Sequence, residues 1–420
     1  MTGTKKRFQL KISFTFFISI FLAIAPILDP YVFLEIGSGI TIKLMDVFLI
    51  LMGVLCFCKS TFLDGKFDFC IKWIIPFFIL SILALGLPAN ASLSLGVTLK
   101  NLIIELVYAV LFAYIWKTPC RNMFFKCVEC LCIISAIVVI YQFIMGNIGT
   151  VAWDGKIPFL NLATGEHWSG YIDVNTFDVR PNGIFQEASY AGIYLMIGYI
   201  SAMKNNKFLK AMVIAVAMCC TASLVSIVGL LLITLYVIMK NRQLGIENRS
   251  MYKLIAIVVC AVILIVILSL KNASVGSLVH YLQKRVLSIS TDLNSERMGS
   301  TRYRLTGFIG KFPEYSFTQK LIGVGASQFA NYFNVFSYSN VFVTLILDHG
   351  LVGVFTFIVL LKNLYKRIAR ENKIFFYIFV LIMAVDYSWY NYTFFFLLTA
   401  CIILPEKNRN KSIVLSSGII

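Results

Sequence analysis

The run Ser339-Asn-Val-Phe-Val-Thr-Leu-Ile-Leu-Asp-His-Gly-Leu-Val-Gly353 opens an apolar helix at the end of a long polar stretch. That stretch begins near Lys271, continues to about Tyr338, and carries Arg285, Arg297, Arg302 and Arg304. The chain on either side is apolar. Such an alternation describes apolar helices that make one large excursion into water.

Composition sets the surroundings. The 420 residues are 59% hydrophobic and 14% charged, with a mean hydropathy of +0.84. A water-exposed globule of that composition would be insoluble. Apolar runs long enough to cross a hydrocarbon core about 30 Å thick recur along the whole chain. We predict an all-α integral membrane protein, one polytopic domain over 1–420, with spans near 10–28, 39–58, 70–88, 95–116, 123–145, 183–203, 208–223, 224–239, 252–270, 340–362, 373–389 and 390–404. The first span follows Lys5, Lys6, Arg7 and Lys11 and lacks a small-residue cleavage site before Asp29, so it reads as retained.

The net charge of +17 is distributed by topology. With the N-terminus in the cytoplasm and about 12 spans, the Lys- and Arg-rich short connections all fall inside, and both termini are cytoplasmic. This distribution argues against a nucleic-acid partner. Two long loops then lie outside, 146–182 and 271–338. The second holds eight Lys or Arg, which topology does not require, and an anionic ligand is the alternative to a merely solvated loop. Its segment 276–289 has the pattern of an amphipathic helix on a membrane surface. The 11 cysteines lie in or beside apolar segments, unlike a disulfide framework; Cys127, Cys130 and Cys132 read as packing residues.

Ionisable residues within spans are costly and mark sites. Lys43, Asp46, Lys100, Glu105, Glu187, Asp348, His349 and Asp386 all fall in the outer half under this topology, with Glu129 alone near the inner end. One-sided clustering favours a cavity open to the outside over an ion pathway. Two helices start at that face after long loops. One starts near Gly183, behind Arg180 and Pro181. The other starts at Ser339-Asn340, with Ser339 as the expected N-cap. Helix starts attract anions, and arginine forks suit phosphate oxygens. We therefore expect a diphosphate site between them, using Arg180 with Arg297, Arg302 and Arg304. For His349, beside Asp348, a packing role and a functional role both stand. His280 reads as interfacial; His167 is the remaining histidine. The sequence has no nucleotide-binding glycine motif, and its one metal-like spacing, Cys127-x-x-Cys130-x-Cys132, is a weak zinc signal with no histidine nearby.

The run Arg180-x-x-Gly183-x-Phe185-x-Glu187-x-Ser189, the pair Gly323-Val-Gly325, and Ser339-Asn340 ahead of Gly350-x-x-Gly353 together resemble the bacterial O-antigen polymerase and ligase superfamily. The ligase branch has His-Asn where this chain has Ser339-Asn340. Serine cannot replace a histidine base, so the resemblance favours the Wzy-type polymerase. It implies a GT-C-like glycosyltransferase of the inner (cytoplasmic) membrane, with its active site on the outer side. Undecaprenyl-diphosphate-linked oligosaccharides would be both donor and acceptor, building O-antigen, capsule or exopolysaccharide. Membrane lipids would surround it, and a chain-length regulator is a possible partner. No cofactor or metal is expected. Arg180 and Arg302 or Arg304 would hold the diphosphate, with Arg297 and Asn340 as further binding residues. The base would be Glu187, Asp348 or His349, with Glu296 next. The alternatives are an O-antigen ligase and a lipid-linked oligosaccharide flippase, the latter disfavoured by the long external loops.

Overall fold

Long apolar runs with few prolines should fold as helices that pack by apolar faces, and they do. A computed structural model describes residues 14–36, 40–59, 68–87, 90, 95–117, 121–163, 168–170, 179–244, 308–335, 339–385 and 392–403. The helices are α1 (Phe14–Leu28), α2 (Leu44–Lys59), α3 (Asp68–Leu85), α4 (Leu95–Lys117), α5 (Arg121–Asn147), α6 (Ala188–Lys204), α7 (Phe208–Cys220), α8 (Leu224–Leu244), α9 (Phe317–Ile322), α10 (Phe329–Phe333), α11 (Val341–Arg367), α12 (Lys373–Val385) and α13 (Tyr392–Ile402). Each predicted span that reaches into the described residues overlaps one of these helices. The expected span 252–270 and the amphipathic segment 276–289 lie outside the described residues.

The middle of the bundle is α6, buried along nearly its whole length from Ala188 to Met203. It is apolar on all sides because it has neighbours on all sides: α5, α7, α8, α12 and α13 pack around it. Tyr194 stacks on Phe396 (ring centroids 4.6 Å) and donates its hydroxyl proton to the Ala23 carbonyl at 2.7 Å, tying α6 to α13 and α1. Gly198 lets α5 approach closely, since a Cβ there would stand 2.2 Å from Cys132 Sγ. Cys132 is buried at that crossing while Cys130 is exposed, so the cysteines of α5 do not converge.

Helices α5 and α11 are long and apolar enough to cross a membrane. Their most apolar windows are 44% and 56% buried, so each turns about half its residues outward. What they turn outward is also apolar. Ile134, Ile137 and Ile144 are exposed on α5, and Leu351, Phe355 and Ile358 on α11. Similar stripes run along α2 (Leu51, Val54, Leu55), α3 (Ile75, Ile79, Ile82) and α8 (Leu231, Leu232, Leu235). Spacings of three and four along several helices make a continuous apolar exterior. Water penalises such a surface by about 25 cal/mol per Å2; lipid does not.

The segment 208–239 divides as expected. Ala222 adopts φ +50°, and Thr221 and Ser226 both donate hydroxyl protons to the Met218 carbonyl, at 2.8 and 3.0 Å, closing the corner between α7 and α8.

Three expectations need correction. The fold is not purely helical: Val32–Ile36 (β1) and Ile40–Lys43 (β2) form an antiparallel hairpin, with Glu35 opposite Thr41 and Ile36 opposite Ile40. Leucine and β-branched residues on both sides of Gly37-Ser38-Gly39 favour strands there, and they shorten the predicted span at 39–58 to a helix starting at Leu44. Helix α6 begins at Ala188 rather than Gly183, because Gly183 turns at φ +63°. The N-cap of α11 is Asn340, not Ser339: Asn340 Oδ1 accepts the Val343 N–H at 3.0 Å, while the Ser339 hydroxyl pairs with Thr344 Oγ1 at 3.0 Å.

Candidate functional site

Polar contacts between the connections gather at two ends of the bundle. At one end the Ile157 N–H donates to Tyr31 Oη (2.8 Å) and the Val32 N–H to the Asn161 carbonyl (2.9 Å), joining the hairpin to the loop after α5. At the same end Gln319 Nε2 donates to Asn90 Oδ1 and Gln328 Nε2 to Thr98 Oγ1, joining the loop before α11 to α3 and α4. The described parts of both long loops predicted to be external fall in this group. Burial is the main reason the Tyr31 hydroxyl titrates above its usual value, with the Ile157 N–H opposing the shift.

The segment Arg180–Glu187 is an elbow held from below. The Gly183 N–H donates to Gln142 Oε1 (2.9 Å), and Gln142 Nε2 returns a bond to the Gly183 carbonyl (3.1 Å). Buried Asn182 donates to the carbonyls of Asp154 and Phe185. Two glycines make the crossing possible: a Cβ on Gly155 would stand 1.8 Å from the Gly183 carbonyl oxygen. Phe185 is buried against Tyr194, ring centroids 5.0 Å apart. Trp168 Nε1 donates to the Asp154 carbonyl and Ser169 Oγ to that of Gln186, so the preceding loop wraps the elbow.

The elbow sorts its motif by role. Gly183 and Phe185 are structural, whereas Arg180 and Glu187 stay half-buried at the surface of this end. Glu187 is the residue immediately before α6, with extended backbone, and its carboxylate accepts the Ser189 hydroxyl at 3.0 Å. It therefore stands at the head of the helix rather than one turn inside it.

The other half centres on Asp348. Its Oδ2 accepts the Ser327 N–H (2.9 Å), and Oδ1 accepts those of Gln328 (3.1 Å) and Phe329 (3.0 Å). The residue is completely buried. Its carbonyl also accepts the Gly325 N–H at 2.9 Å. Directly after it α11 breaks at Gly350, φ +64° and ψ −168°, a region that residues with a Cβ avoid. A Cβ on Gly350 would lie 2.3 Å from the Leu321 carbonyl, and one on Gly323 would lie 2.1 Å from that of Asp348. The two glycine motifs are thus the facing halves of one joint, with Asp348 as the pin. His349 is also fully buried, its ring edge-on to Phe77 at 5.1 Å. Neither side chain faces an opening. Around the joint Phe308, Tyr315, Val324, Phe329, Val343 and Leu347 form a small core of their own. Burial, reinforced by the nearby Asp348 charge, pushes the Tyr315 hydroxyl well above the usual tyrosine range.

Of the other ionisable residues expected at this end, Lys43, Asp46 and Lys100 build an ion-pair network, and the Glu105 side chain lies outside what is described. Lys43 meets Asp29 at 2.7 Å and Lys100 meets Asp46 at 3.3 Å. Asp46 also accepts the Lys43 N–H (2.8 Å) and the Tyr392 hydroxyl, and Lys100 reaches the Thr41 carbonyl. The network ties the hairpin to α2, α4 and α13. Of the remaining candidates, Arg297, Arg302, Arg304, Glu296, His167, His280 and Asp386 lie outside the described residues. Sequence reading passed over Gln142, Asp154 and Gln328. Polar groups in or beside apolar helices that bond backbone atoms leave no spacing signature.

Comparison with family models, with curated proteins and with solved structures finds no match for this chain.

Proposed function

We propose that this chain is a Wzy-type polysaccharide polymerase of the cytoplasmic membrane, a glycosyltransferase with about 12 spans, both termini inside and its site on the outer face. It would move a growing glycan from undecaprenyl diphosphate onto the terminal sugar of an incoming lipid-linked repeat unit. The observation that carries the reading is the elbow. A rigid, glycine-dependent turn presents one arginine and one carboxylate, Arg180 and Glu187, at the end of the bundle where the long loops gather. That pairing suits the reaction. Arg180, with Arg302 or Arg304 from the second loop, neutralises the diphosphate as charge develops on it. A carboxylate takes the proton from the attacking hydroxyl.

Among the three candidate bases, the geometry favours Glu187. Asp348 spends both oxygens on three backbone N–H groups, and His349 is enclosed beside Phe77. Asn340, kept here as a further binding residue, spends its side-chain oxygen capping α11.

The test is deletion of the gene in its source bacterium, followed by electrophoresis of surface polysaccharide and lipid-linked precursors. Single repeat units on the surface, with long chains missing, are expected. Long chains accumulating on the carrier would make it a ligase. Repeat units held in the cytoplasmic leaflet would make it a flippase.

A further inference from the structure

At the end of the bundle opposite the elbow lies a cavity of about 350 Å3, between α5, the corner joining α6 to α7, and α12. Lys126, Lys204 and Lys207 line it together with Ser201 and Asn205, and among the described residues no acidic side chain lines it. The positive-inside pattern requires cations in these connections but does not require three of them to converge on one cavity.

Two of the three are fixed from behind. Glu129, only 2% exposed, pairs with Lys207 at 2.6 Å and accepts from Ser201 Oγ and Asn205 Nδ2, each at 2.8 Å. Lys204 donates to the Glu371 carbonyl at 2.7 Å and to Asn372 Oδ1 at 3.3 Å, and its ammonium lies 5.3 Å from the centroid of the Phe375 ring. Lys126 stands exposed on the rim. Donors held in place before a ligand arrives lose little freedom on binding. The wall is apolar on one side, where Phe125 stacks on Phe375 with centroids 5.2 Å apart. Cations beside an aromatic wall, at the level where helices leave the hydrocarbon, match a phosphate ester attached to something greasy.

We propose that this cavity binds the phosphate ester of an anionic phospholipid headgroup from the leaflet at that end, independently of the reaction at the other. The shared chemistry is a phosphate ester held by lysine ammonium groups; a soluble phosphate ester is the second source to be separated.

The test uses the purified full-length chain in a neutral detergent. Its melting temperature is followed during titration with dioleoylphosphatidylglycerol, dioleoylphosphatidylcholine or glycerol 3-phosphate. Phosphatidylglycerol should raise the melting temperature and phosphatidylcholine should not. Lys126→Gln removes a rim charge without disturbing the core, and should raise the half-effective phosphatidylglycerol concentration about fivefold, the effect of about one cation. Lys204→Gln should do the same. A glycerol 3-phosphate response lost in the same variants would keep the site and assign it to a soluble ester. Equal responses in wild type and both variants, or no response to either phosphate ester, would overturn the proposal.

Discussion

Removing the Asp348 carboxylate separates a structural pin from a catalytic base. In the wild type three backbone N–H groups, at 2.9 to 3.1 Å, end on its two oxygens. Asp348→Ala leaves all three without acceptors in a closed environment, where each buried orphan costs about 1–3 kcal/mol. Discounting the partly buried Ser327, the joint should lose about 2–6 kcal/mol. Asp348→Asn keeps one oxygen, enough for Gln328 and Phe329, and gives up the Ser327 bond for about 1–2 kcal/mol. Hydrogen exchange of the purified protein reads this locally. Amides of residues 325–333 should exchange at least about thirtyfold faster in the alanine variant, and an intermediate amount faster in the asparagine variant. Polymer length should follow the same graded order. If both variants keep wild-type exchange and both abolish polymer, the pin argument fails and Asp348 returns as the base.

Gly350→Ala must adopt a backbone conformation that costs about 1–3 kcal/mol and must also push the Leu321 carbonyl away; a lowered melting temperature of the detergent-solubilised protein is expected, and Gly353→Ala should lower it too, since a Cβ there would stand 2.3 Å from that of buried His349. Arg180→Ala and Arg302→Ala should each abolish polymer with protein levels intact on immunoblot, and normal chain length in either would remove that residue from the site. Glu187→Gln should likewise stop polymerisation while the melting temperature stays near wild type, since the amide oxygen can still accept the Ser189 hydroxyl. Asp46→Ala should cost about 2–4 kcal/mol in stability by stranding the buried Tyr392 hydroxyl and removing the carboxylate beside Lys100, measured by thermal melting, with chain length unchanged in the protein that remains.

Much of the helical frame was legible because apolar length and periodicity are local properties. The break at Thr221-Ala222-Ser223 was legible for a different reason: merging the flanking helices would have put the basic connection after Lys240 on the wrong side. The hairpin at 32–43 was hidden because its strands are short and flank an apolar helix, so hydropathy alone extends that helix back through them. The site was legible in parts. Sequence pointed to Arg180, Glu187, Asp348 and both glycine motifs, but it could not tell a carboxylate that meets solvent from one that meets three backbone N–H groups. That distinction depends on the loop 325–329 folding back over α11, a contact about 20 residues away in sequence with no residue-type signature of its own.

Two independent arguments bear on topology. Charge distribution assigns sides from the lysines and arginines alone. Packing assigns ends without using charge sign. Helix α8 starts beside α6 and the Met218 carbonyl, and later brings Tyr236 within 5.6 Å of Tyr377 near the start of α12. Residues 308–335 contact Asn90 and Thr98 at the other end. Between them the chain must change ends an odd number of times, and the apolar run 252–270 is the crossing we propose. A cysteine at position 250 and one at position 274 should then react from opposite sides. In a background with its own reactive cysteines replaced, Ser274→Cys should be labelled by a membrane-impermeant maleimide in intact cells, and Ser250→Cys only after permeabilisation. Labelling of both from the same side would refute the proposed topology and move the elbow's Arg180 and Glu187 to a face whose sidedness would have to be argued again.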